Sequence, residues 1–323
     1  MEFDDRNVFT LDRSAENEAA SERLSAGYAH QAYAHSLSEF GEPMRLAESG
    51  GWLLRRAIGG TGSYDAMGLY PLFCCDNWKG IAPDLDALRD ELVSVAVVPD
   101  PFGHYDEDLL RSCFDRVIPF KSHFVIDFDQ PGPYGVSNHR YKARKSLRRL
   151  NVEVCANPKD MLEDWIVLYG HLIERHEIRG IKAFSADSFR KQFEVPGLVA
   201  FRASTPDGQC AGGQLWFLQG DVAYYHLGAA NEIGYQHSCA FGIYATAIEY
   251  FAGKARYLEL GAGAGSTSKE DGLTRFKEGW ANATRNAYFC GRVLNPQRYG
   301  ELTNAPDAVP TSYFPAYRNG EMS

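Results

Sequence analysis

The sequence predicts an α/β protein with mixed α+β sheets, organised as two similar halves in tandem. Strand-like and helix-like apolar patterns alternate along the chain, which is typical of sheets covered by helices. The order β-β-β-α-β-α-β in the second half recurs in outline in the first half. A chain of 323 residues is also long enough for two domains of about 150 residues each.

Turn signals separate the elements of the first half. Gly59-Gly60-Thr-Gly62 ends the first strand, and Pro99-Asp-Pro101 ends a β-branched run. Between them, leucines spaced three and four residues apart mark one face of a helix. The predicted elements are strands over Trp52–Ile58 and Asp65–Cys75, a helix over Asp84–Leu92, a strand over Leu92–Val98, a helix over Asp106–Phe114 and a strand over Ser122–Phe128.

The second half begins with helical patterns and then becomes rich in strands. Pro206-Asp-Gly208 predicts a hairpin turn. Gly261-Ala-Gly-Ala-Gly265 separates a buried strand from a short helix. The predicted elements are a helix over Asp160–His176, strands over Gly197–Ala203, Cys210–Leu218 and Val222–Ala229, a helix over Ser238–Phe251, a strand over Arg256–Leu260, a helix over Leu273–Gly279 and a strand over Thr284–Cys290.

Three segments are predicted along the chain. Residues 1–36 have few large aliphatic side chains and are predicted to form a helical or disordered leader. Residues 37–135 form the first unit and residues 136–323 the second. The second unit starts with Asn138–Arg149, in which six of twelve residues are Lys or Arg. We expect this segment to be a basic helix that joins the two units.

The composition restricts the location and the partners. A net charge of -9 disfavours a partner bound mainly through its phosphates, so tRNA is the less favoured partner. The N-terminus has no basic segment followed by an apolar stretch, and the longest apolar run, Leu92–Val98, is too short to span a bilayer. Seven scattered cysteines without a C-x-x-C pair suit reduced thiols. We therefore expect a cytoplasmic protein without a membrane span.

The glycine turn that follows Leu258 has three interpretations. It matches the first motif of methyltransferases that use S-adenosylmethionine, where glycines let the backbone approach the cofactor. Only 58 residues follow Gly265, however, and they are too few for the further strand–helix units that such a fold needs. The turn also suits simple close packing of a strand and a loop. The third interpretation depends on the residues that follow it.

Several segments together resemble the Fem-type and BioF2-like acyltransferases of the GNAT superfamily. The glycine turn and Asp271-Gly-Leu-Thr-Arg-Phe-Lys-Glu-Gly-Trp280 are similar to the last motif of that family. Gly212–Phe217, Ala223–Ala229 and Tyr288–Tyr299 are similar to its strands. The resemblance covers about residues 120–300. It implies two GNAT-like acyl-CoA N-acyltransferase units in tandem, joined by the basic helix.

The resemblance implies a cleft between two splayed strands, in which an acceptor amine attacks an acyl carbonyl directly. Lys277, on the short helix with Phe276, would place an ammonium against the carbonyl oxygen or a donor phosphate. Glu259, at the end of a buried strand, would act as general base, and a capping or ion-pair acid is the alternative. Gly261 and Gly263 would let the backbone approach the donor.

Three residues on other strands are further candidates. Tyr225 and His226 lie on the strand expected to line the cleft, and strand alternation allows only one of them to face it. His226 is a candidate base, although a lone histidine on a strand is more often a core residue. Tyr288 is a candidate acid for the leaving group, although aromatic strand residues are usually core.

The basic helix and the bulk charge bear on the donor. Arg140, Arg144 and Lys145 would hold phosphates of coenzyme A, a nucleotide-sugar or tRNA, or they form the solvated face of a linker helix. The acidic charge and the absence of a long helical arm favour acyl-CoA, such as acetyl-CoA, over aminoacyl-tRNA as donor. The spacing of His171 and His176 does not suit a zinc site, and we expect no metal.

The sequence thus predicts an N-acyltransferase that transfers an acyl or aminoacyl group to an amino group. The acceptor would be a sugar, a cell-envelope precursor or a small metabolite, in cell-envelope or polysaccharide biosynthesis. Two alternatives stay open at this point. One is a methyltransferase that uses S-adenosylmethionine, and the other is a non-catalytic GNAT-like protein that binds a ligand.

Overall fold

The computed structural model describes residues 26–263, 272–303 and 311–321. All its strands belong to a single mixed sheet of eleven strands. In chain order the strands are β1 Glu42–Arg45, β2 Trp52–Ile58, β3 Ser63–Gly68, β4 Ser94–Val97, β5 Arg116–Asp127, β6 Asn151–Val154, β7 Leu198–Ser204, β8 Cys210–Gln219, β9 Val222–Ala230, β10 Tyr257–Gly261 and β11 Ala283–Val293.

Helices cover both faces of the sheet and, with short 3-10 turns, connect its strands. The 3-10 turns span Gly27–Ala29, Trp78–Gly80, Pro158–Met161, Gly180–Lys182 and Ala316–Arg318. The helices are α1 Gln31–Ser36, α2 Ile81–Ala87, α3 Glu107–Cys113, α4 Ser137–Leu147, α5 Leu162–His176, α6 Ala186–Gln192, α7 Glu232–Gln236, α8 Cys239–Phe251, α9 Gly272–Glu278 and α10 Pro296–Thr303.

The strand order shows two halves that exchange their last strands. The order is β1-β2-β3-β4-β11-β5-β10-β9-β8-β7-β6. The parallel ladders are β3 with β4 in the first half and β9 with β10 in the second. Strand β5, which ends the first half, pairs with β10, while β11, which ends the second half, pairs with β4. The prediction of an α/β protein with two similar mixed-sheet units is confirmed.

The boundary predicted at residue 135 divides the sequence into two halves, but strands from both halves pair with each other in one continuous sheet. Strands β5 and β11 pair with each other along most of their length, and each also pairs with a strand of the other half. The basic segment forms α4, which packs along α8 in the second half. A Cβ at Gly242 of α8 would lie 2.9 Å from the Ser146 hydroxyl of α4. This packing places α4 against the second half of the protein. Its role as a helix that joins the two halves stays a prediction.

The two faces of the second half of the sheet have separate cores. The face that we call face A is covered by α5 and α6 and contains Tyr224 of β9 and Val125 of β5. The opposite face, face B, is covered by α4 and α8 and contains Trp216 of β8 and Leu258 of β10. The long apolar run of β8 is explained by this burial on both sides.

The N-terminal segment is packed more closely than its composition indicates. Residues 26–36 were expected to belong to a helical or disordered leader; they form a 3-10 turn and α1, and Tyr28 and Tyr33 are fully buried in the core of face A. The Tyr33 hydroxyl donates to the carbonyl oxygen of Tyr70 at 2.6 Å. Tyrosines can bury as much apolar surface as aliphatic side chains, so the count of aliphatics was misleading. The rest of the predicted leader, residues 1–25, lies outside the described residues.

Candidate functional site

A gap opens in the sheet where β9 and β10 stop pairing. The parallel ladder runs from Tyr257 opposite Val222 to Glu259 opposite Tyr224 and ends there. Strand β9 continues to Ala230, and β10 ends at Gly261. Ligands of open α/β sheets bind beyond the carboxyl ends of neighbouring parallel strands. The separation of these two strands therefore creates the cleft around which the site is built.

Lys277 reaches the end of β10 from α9. Only 5% of Lys277 is exposed, and its Nζ donates to the carbonyl oxygen of Ala262 at 2.8 Å. The same Nζ lies 5.2 Å from the centre of the Tyr225 ring, where the electrons of the aromatic face attract a cation. Phe276 fixes the helix by packing edge-on against Phe241 and Tyr244 of α8. A buried positive charge is thus held at the cleft.

Glu259 forms a hydrogen-bonded pair that sequence analysis did not identify. Its Oε1 lies 2.6 Å from Nδ1 of His123 on β5, and both residues are buried. The same oxygen accepts a hydrogen bond from the backbone N–H of Gly261 at 2.7 Å. Because Glu259 lies opposite Tyr224 and Val125 in the sheet, it belongs to face A. The carboxyl group is therefore held at the end of β10 by His123 and by the amide of Gly261.

Gly261 connects these two groups. Its φ is +75°, a left-handed conformation that favours glycine, and a Cβ there would lie 2.9 Å from Nζ of Lys277. Glu259 bonds to the amide of this turn, and Lys277 bonds to the next carbonyl, that of Ala262. Gly263 is half-buried and is the last described residue before 272. The glycine turn thus brings a carboxylate from face A and an ammonium from face B together.

Tyr225 and His226 point to opposite faces of β9. Tyr225 packs against Trp216 and Tyr244 on face B, beside Lys277, and burial raises the pKa of its hydroxyl. His226 is buried on face A, where Tyr28 and Gln192 lie within hydrogen-bond distance of its two ring nitrogens, at 3.2 and 3.0 Å. Burial lowers the pKa of His226 to about 3. Of these two candidates, the structure brings only Tyr225 next to Lys277.

Comparison with known proteins identifies the second half. Residues 137–278 match the family model described as an acetyltransferase (GNAT) domain. These residues form a GNAT domain. They include β9, β10, Glu259 and Lys277, which together make up the cleft described above. Among curated proteins, none matches this sequence.

Solved structures extend the similarity to most of the chain. A structure of FemX is 14% identical, with a TM-score of 0.63, over 89% of this chain and 98% of FemX. The lysylphosphatidylglycerol synthetase L-PGS from Bacillus licheniformis is 12% identical, with a TM-score of 0.61, over 87% and 92% of the two chains. The C-terminal domain of a putative lysylphosphatidylglycerol synthetase from Agrobacterium fabrum is 15% identical, with a TM-score of 0.59, over 87% and 93%. The chain thus has the fold of Fem-type GNAT acyltransferases.

Tyr288 lies outside the cleft of the GNAT domain. It pairs with Pro119, and its hydroxyl donates to Glu107 of α3 at 3.2 Å. Ala283, five residues earlier on β11, is the residue level with Glu259 across β5. Five strand residues span about 17 Å, so Tyr288 lies about that far along the sheet from the level of Glu259. Its role as an acid for the leaving group stays a prediction.

The basic helix α4 presents its charges to solvent. Arg144 and Lys145 are exposed, while the guanidinium of Arg140 donates to the carbonyl oxygen of Gly135. No carboxylate among the described residues forms an ion pair with any of these three side chains. An anion-binding face on α4 therefore stays a prediction. The same helix contacts α9 through His139, whose Nε2 lies 3.1 Å from the carbonyl oxygen of Phe276.

The loop after β9 is closely packed and capped by Asn231. Asn231 caps the short helix α7, and its side-chain oxygen accepts the N–H of Gly234 at 3.1 Å. A Cβ at Gly234 would overlap the carbonyl oxygen of Ala211, so the loop is closely packed at this point. The N–H of Gly234 is therefore already used within the protein.

The described residues contain no group of three or more His, Cys, Asp or Glu side chains arranged to hold a metal ion. No helix within them is both long and apolar enough to cross a membrane.

Proposed function

We propose that the protein is an N-acyltransferase that moves an acyl or aminoacyl group onto the amino group of a small-molecule or cell-envelope acceptor. The observation that carries the proposal is the buried ammonium of Lys277 at the point where β9 and β10 separate. A positive charge excluded from water stabilises negative charge more strongly than an exposed one. The GNAT-domain match over this cleft supports the same conclusion.

The proposed reaction is a direct transfer. The acceptor nitrogen attacks the acyl carbon, a C–N bond forms, and the C–S bond of a thioester or the C–O bond of an ester breaks. The proton released by the amine must be taken up by a base, and the leaving sulfur or oxygen must receive one. We assign Lys277 to the carbonyl oxygen, where negative charge develops. Tyr225 lines the same side of the cleft and supports the position of the ammonium.

The donor is either an acyl-CoA or an aminoacyl-tRNA. The N–H of Gly234, in the loop after β9, donates to Asn231, so it is not available to a phosphate of coenzyme A, which weakens the case for that donor. One similar structure, the C-terminal domain of a putative lysylphosphatidylglycerol synthetase, is named for a product that carries a lysyl group, which favours an aminoacyl donor. The net charge of -9 argues in the opposite direction, against tRNA. The donor must therefore be decided by experiment.

The test supplies both donors to the purified protein. Acetyl-CoA and longer acyl-CoAs form one arm, and a mixture of charged tRNAs forms the other, each with a set of amino-sugar, amino-acid and peptidoglycan-precursor acceptors. Mass spectrometry then detects new amides. We expect one arm to give product that depends on Lys277, and the Lys277→Met protein serves as its control. Absence of amide from both donors with all acceptors would contradict the proposal.

The two alternatives make different predictions. A methyltransferase needs a wound parallel sheet, whereas β10 here has one parallel and one antiparallel neighbour. The sheet therefore does not support that function, and we expect calorimetry with S-adenosylmethionine to show no binding. A non-catalytic protein would bind a donor without product formation, and Lys277→Met would leave all its function intact.

A further inference from the structure

His123 and Glu259 are arranged as a base and the acid that orients it. His123 is 8% exposed, and its Nδ1 lies 2.6 Å from Oε1 of Glu259. That oxygen also accepts a hydrogen bond from the backbone N–H of Gly261, and a backbone N–H can act only as a donor. An ionised Oε1 therefore requires Nδ1–H as its second donor. The neutral imidazole then carries its lone pair on Nε2, and this nitrogen makes no hydrogen bond to any described residue.

We propose that His123 Nε2 is the general base of the transfer and that Glu259 is its positioning residue. This inference rests on the proposed acyltransferase function and reassigns the base from Glu259 to His123. A carboxylate that holds one ring nitrogen fixes the tautomer and stabilises the imidazolium that forms on the other nitrogen. His123 lies on β5 of the first half, outside the sequence motif that contains Glu259 and Lys277, so that motif does not indicate its role.

The position of His123 in the sheet places it at the cleft. Glu259 pairs with Val125, and Gly261 pairs with Phe124 across a bulge, so His123 is the next residue beyond the end of this ladder. It lies at the same end of β10 as the glycine turn that Lys277 contacts. Because β9 and β10 have separated there, groups from the two faces of the sheet approach one opening. The base lies on face A, and the cation lies on face B.

Charged side chains lie near His123 on β5 itself and on the two strands that flank it, β10 and β11. Glu259 faces it from β10, and Arg285 is its cross-strand partner on β11. Arg285 donates to the carbonyl oxygen of Pro101 and lies over the Phe102 ring, at 4.3 Å from its centre. Lys121 precedes His123 on the same face of β5, and burial, followed by the charge of Lys182, lowers the pKa of Lys121.

These positive charges suit an acceptor that is itself negatively charged. Arg285, Lys121 and Lys182 form no ion pair with a carboxylate among the described residues. An acceptor that carries a phosphate or carboxylate near its amino group would be attracted to this side of the opening. The proton that leaves the acceptor nitrogen passes to Nε2, and the C–N bond forms as the carbon–sulfur or carbon–oxygen bond of the donor breaks. The imidazolium then returns the proton to the leaving group or to solvent.

The test compares His123→Asn with the wild type. The asparagine amide still donates to Glu259 in place of Nδ1–H but has no basic nitrogen. For whichever donor gives amide with the wild type, we expect kcat to fall by roughly 100-fold to 10,000-fold, the usual contribution of a general base. The acidic limb of the kcat/KM profile should disappear, and added imidazole should restore part of the rate. His171→Asn, which removes an exposed histidine of α5, is the matched control and keeps the wild-type profile.

The outcomes separate the two proposals. If the wild type makes no amide with any donor, the proposed function fails. If the wild type makes amide and His123→Asn retains its rate within threefold with an unchanged acidic limb, the assignment of His123 is wrong and the acyltransferase function stands. Imidazole cannot restore the activity of a variant that has only lost its fold. Rescue by imidazole therefore distinguishes loss of the base from loss of the folded structure. Glu259→Gln, which leaves His123 in place, should lower kcat while its acidic limb remains.

Discussion

The ammonium of Lys277 donates a 2.8 Å hydrogen bond to the carbonyl oxygen of Ala262. A side chain from α9 thereby fixes the backbone just beyond the end of β10. The same turn fixes Glu259 through the N–H of Gly261. A change in the conformation of this turn should therefore shift the positions of Glu259 and Lys277 together.

Removal of the Lys277 charge should abolish catalysis without unfolding the protein. Methionine matches the length and flexibility of the lysine side chain and packs well in a buried position. We expect Lys277→Met to lower kcat by roughly 100-fold to 1000-fold, as for loss of one group that stabilises an oxyanion. Steady-state kinetics with the active donor would measure this. The control is Lys254→Met on an exposed loop, and equal rates for the two variants would exclude the proposed role of Lys277.

Gly261→Ala should impair activity beyond its effect on the backbone. A residue with a side chain costs roughly 1 kcal/mol in the left-handed conformation, and its Cβ would also lie 2.9 Å from Nζ of Lys277. Gly253 is a matched control, because its φ is +80° and a Cβ there meets nothing within 4 Å. We expect similar losses of melting temperature for the two alanine variants. Only Gly261→Ala should lower kcat, by at least about tenfold; equal kcat values would contradict the close contact with Lys277.

His226 should make the protein less stable as the pH falls. Burial lowers its pKa from 6.5 to about 3 in the folded state, so the unfolded chain binds the extra proton first. The stability of the neutral, buried form is complete above pH 6.5 and is lost as the pH falls toward 3. The contribution of this group to the free energy of unfolding should drop by roughly 2 kcal/mol between pH 7 and 5.

Urea unfolding at these two pH values measures the His226 effect. His226→Gln removes the titrating group, so the difference between pH 7 and 5 should shrink by about that amount, whatever the overall loss of stability. His171→Gln, at an exposed histidine, should keep the wild-type difference. A pH dependence that is unchanged in His226→Gln would show that this histidine is not buried in its neutral form.

Charge reversal on α4 should weaken binding of a donor that carries phosphates. In Arg144→Glu/Lys145→Glu, we expect KM for the donor to rise at least about tenfold, with a smaller dependence on salt and little change in kcat. Arg190→Glu/Lys191→Glu on α6 changes the net charge by the same amount at a distant surface. If both double variants raise KM equally, the effect comes from overall charge and α4 does not bind the donor.

The sequence was most informative where the site lies within one continuous motif. The glycine turn, Glu259 and Lys277 were predicted to act together, and they meet at Gly261 and Ala262; Glu259 is two residues from Gly261, and Lys277 is 15 residues from Ala262. The predicted GNAT-like fold was also confirmed, since its signal comes from the order of many elements. Local patterns are sufficient for features of this kind.

The parts that were missed depend on register between distant strands. His123 and Glu259 are separated by 136 positions, and only the ladder between β5 and β10 brings them together. The surroundings of Tyr288 depend on register in the same way, because β11 pairs with β4 and β5 of the other half. Tyr28 contacts His226 across 198 positions, which no local pattern in the N-terminal segment reveals.

The placement of β11 between β4 and β5 also has a consequence for biosynthesis. Residues 283–293 are synthesised long after β4 and β5, yet they pair with both of these strands. Until they emerge, the nascent chain exposes unpaired edges on both β4 and β5, and such edges are templates for aggregation. The first half therefore completes its part of the sheet only after β11 of the second half has been synthesised.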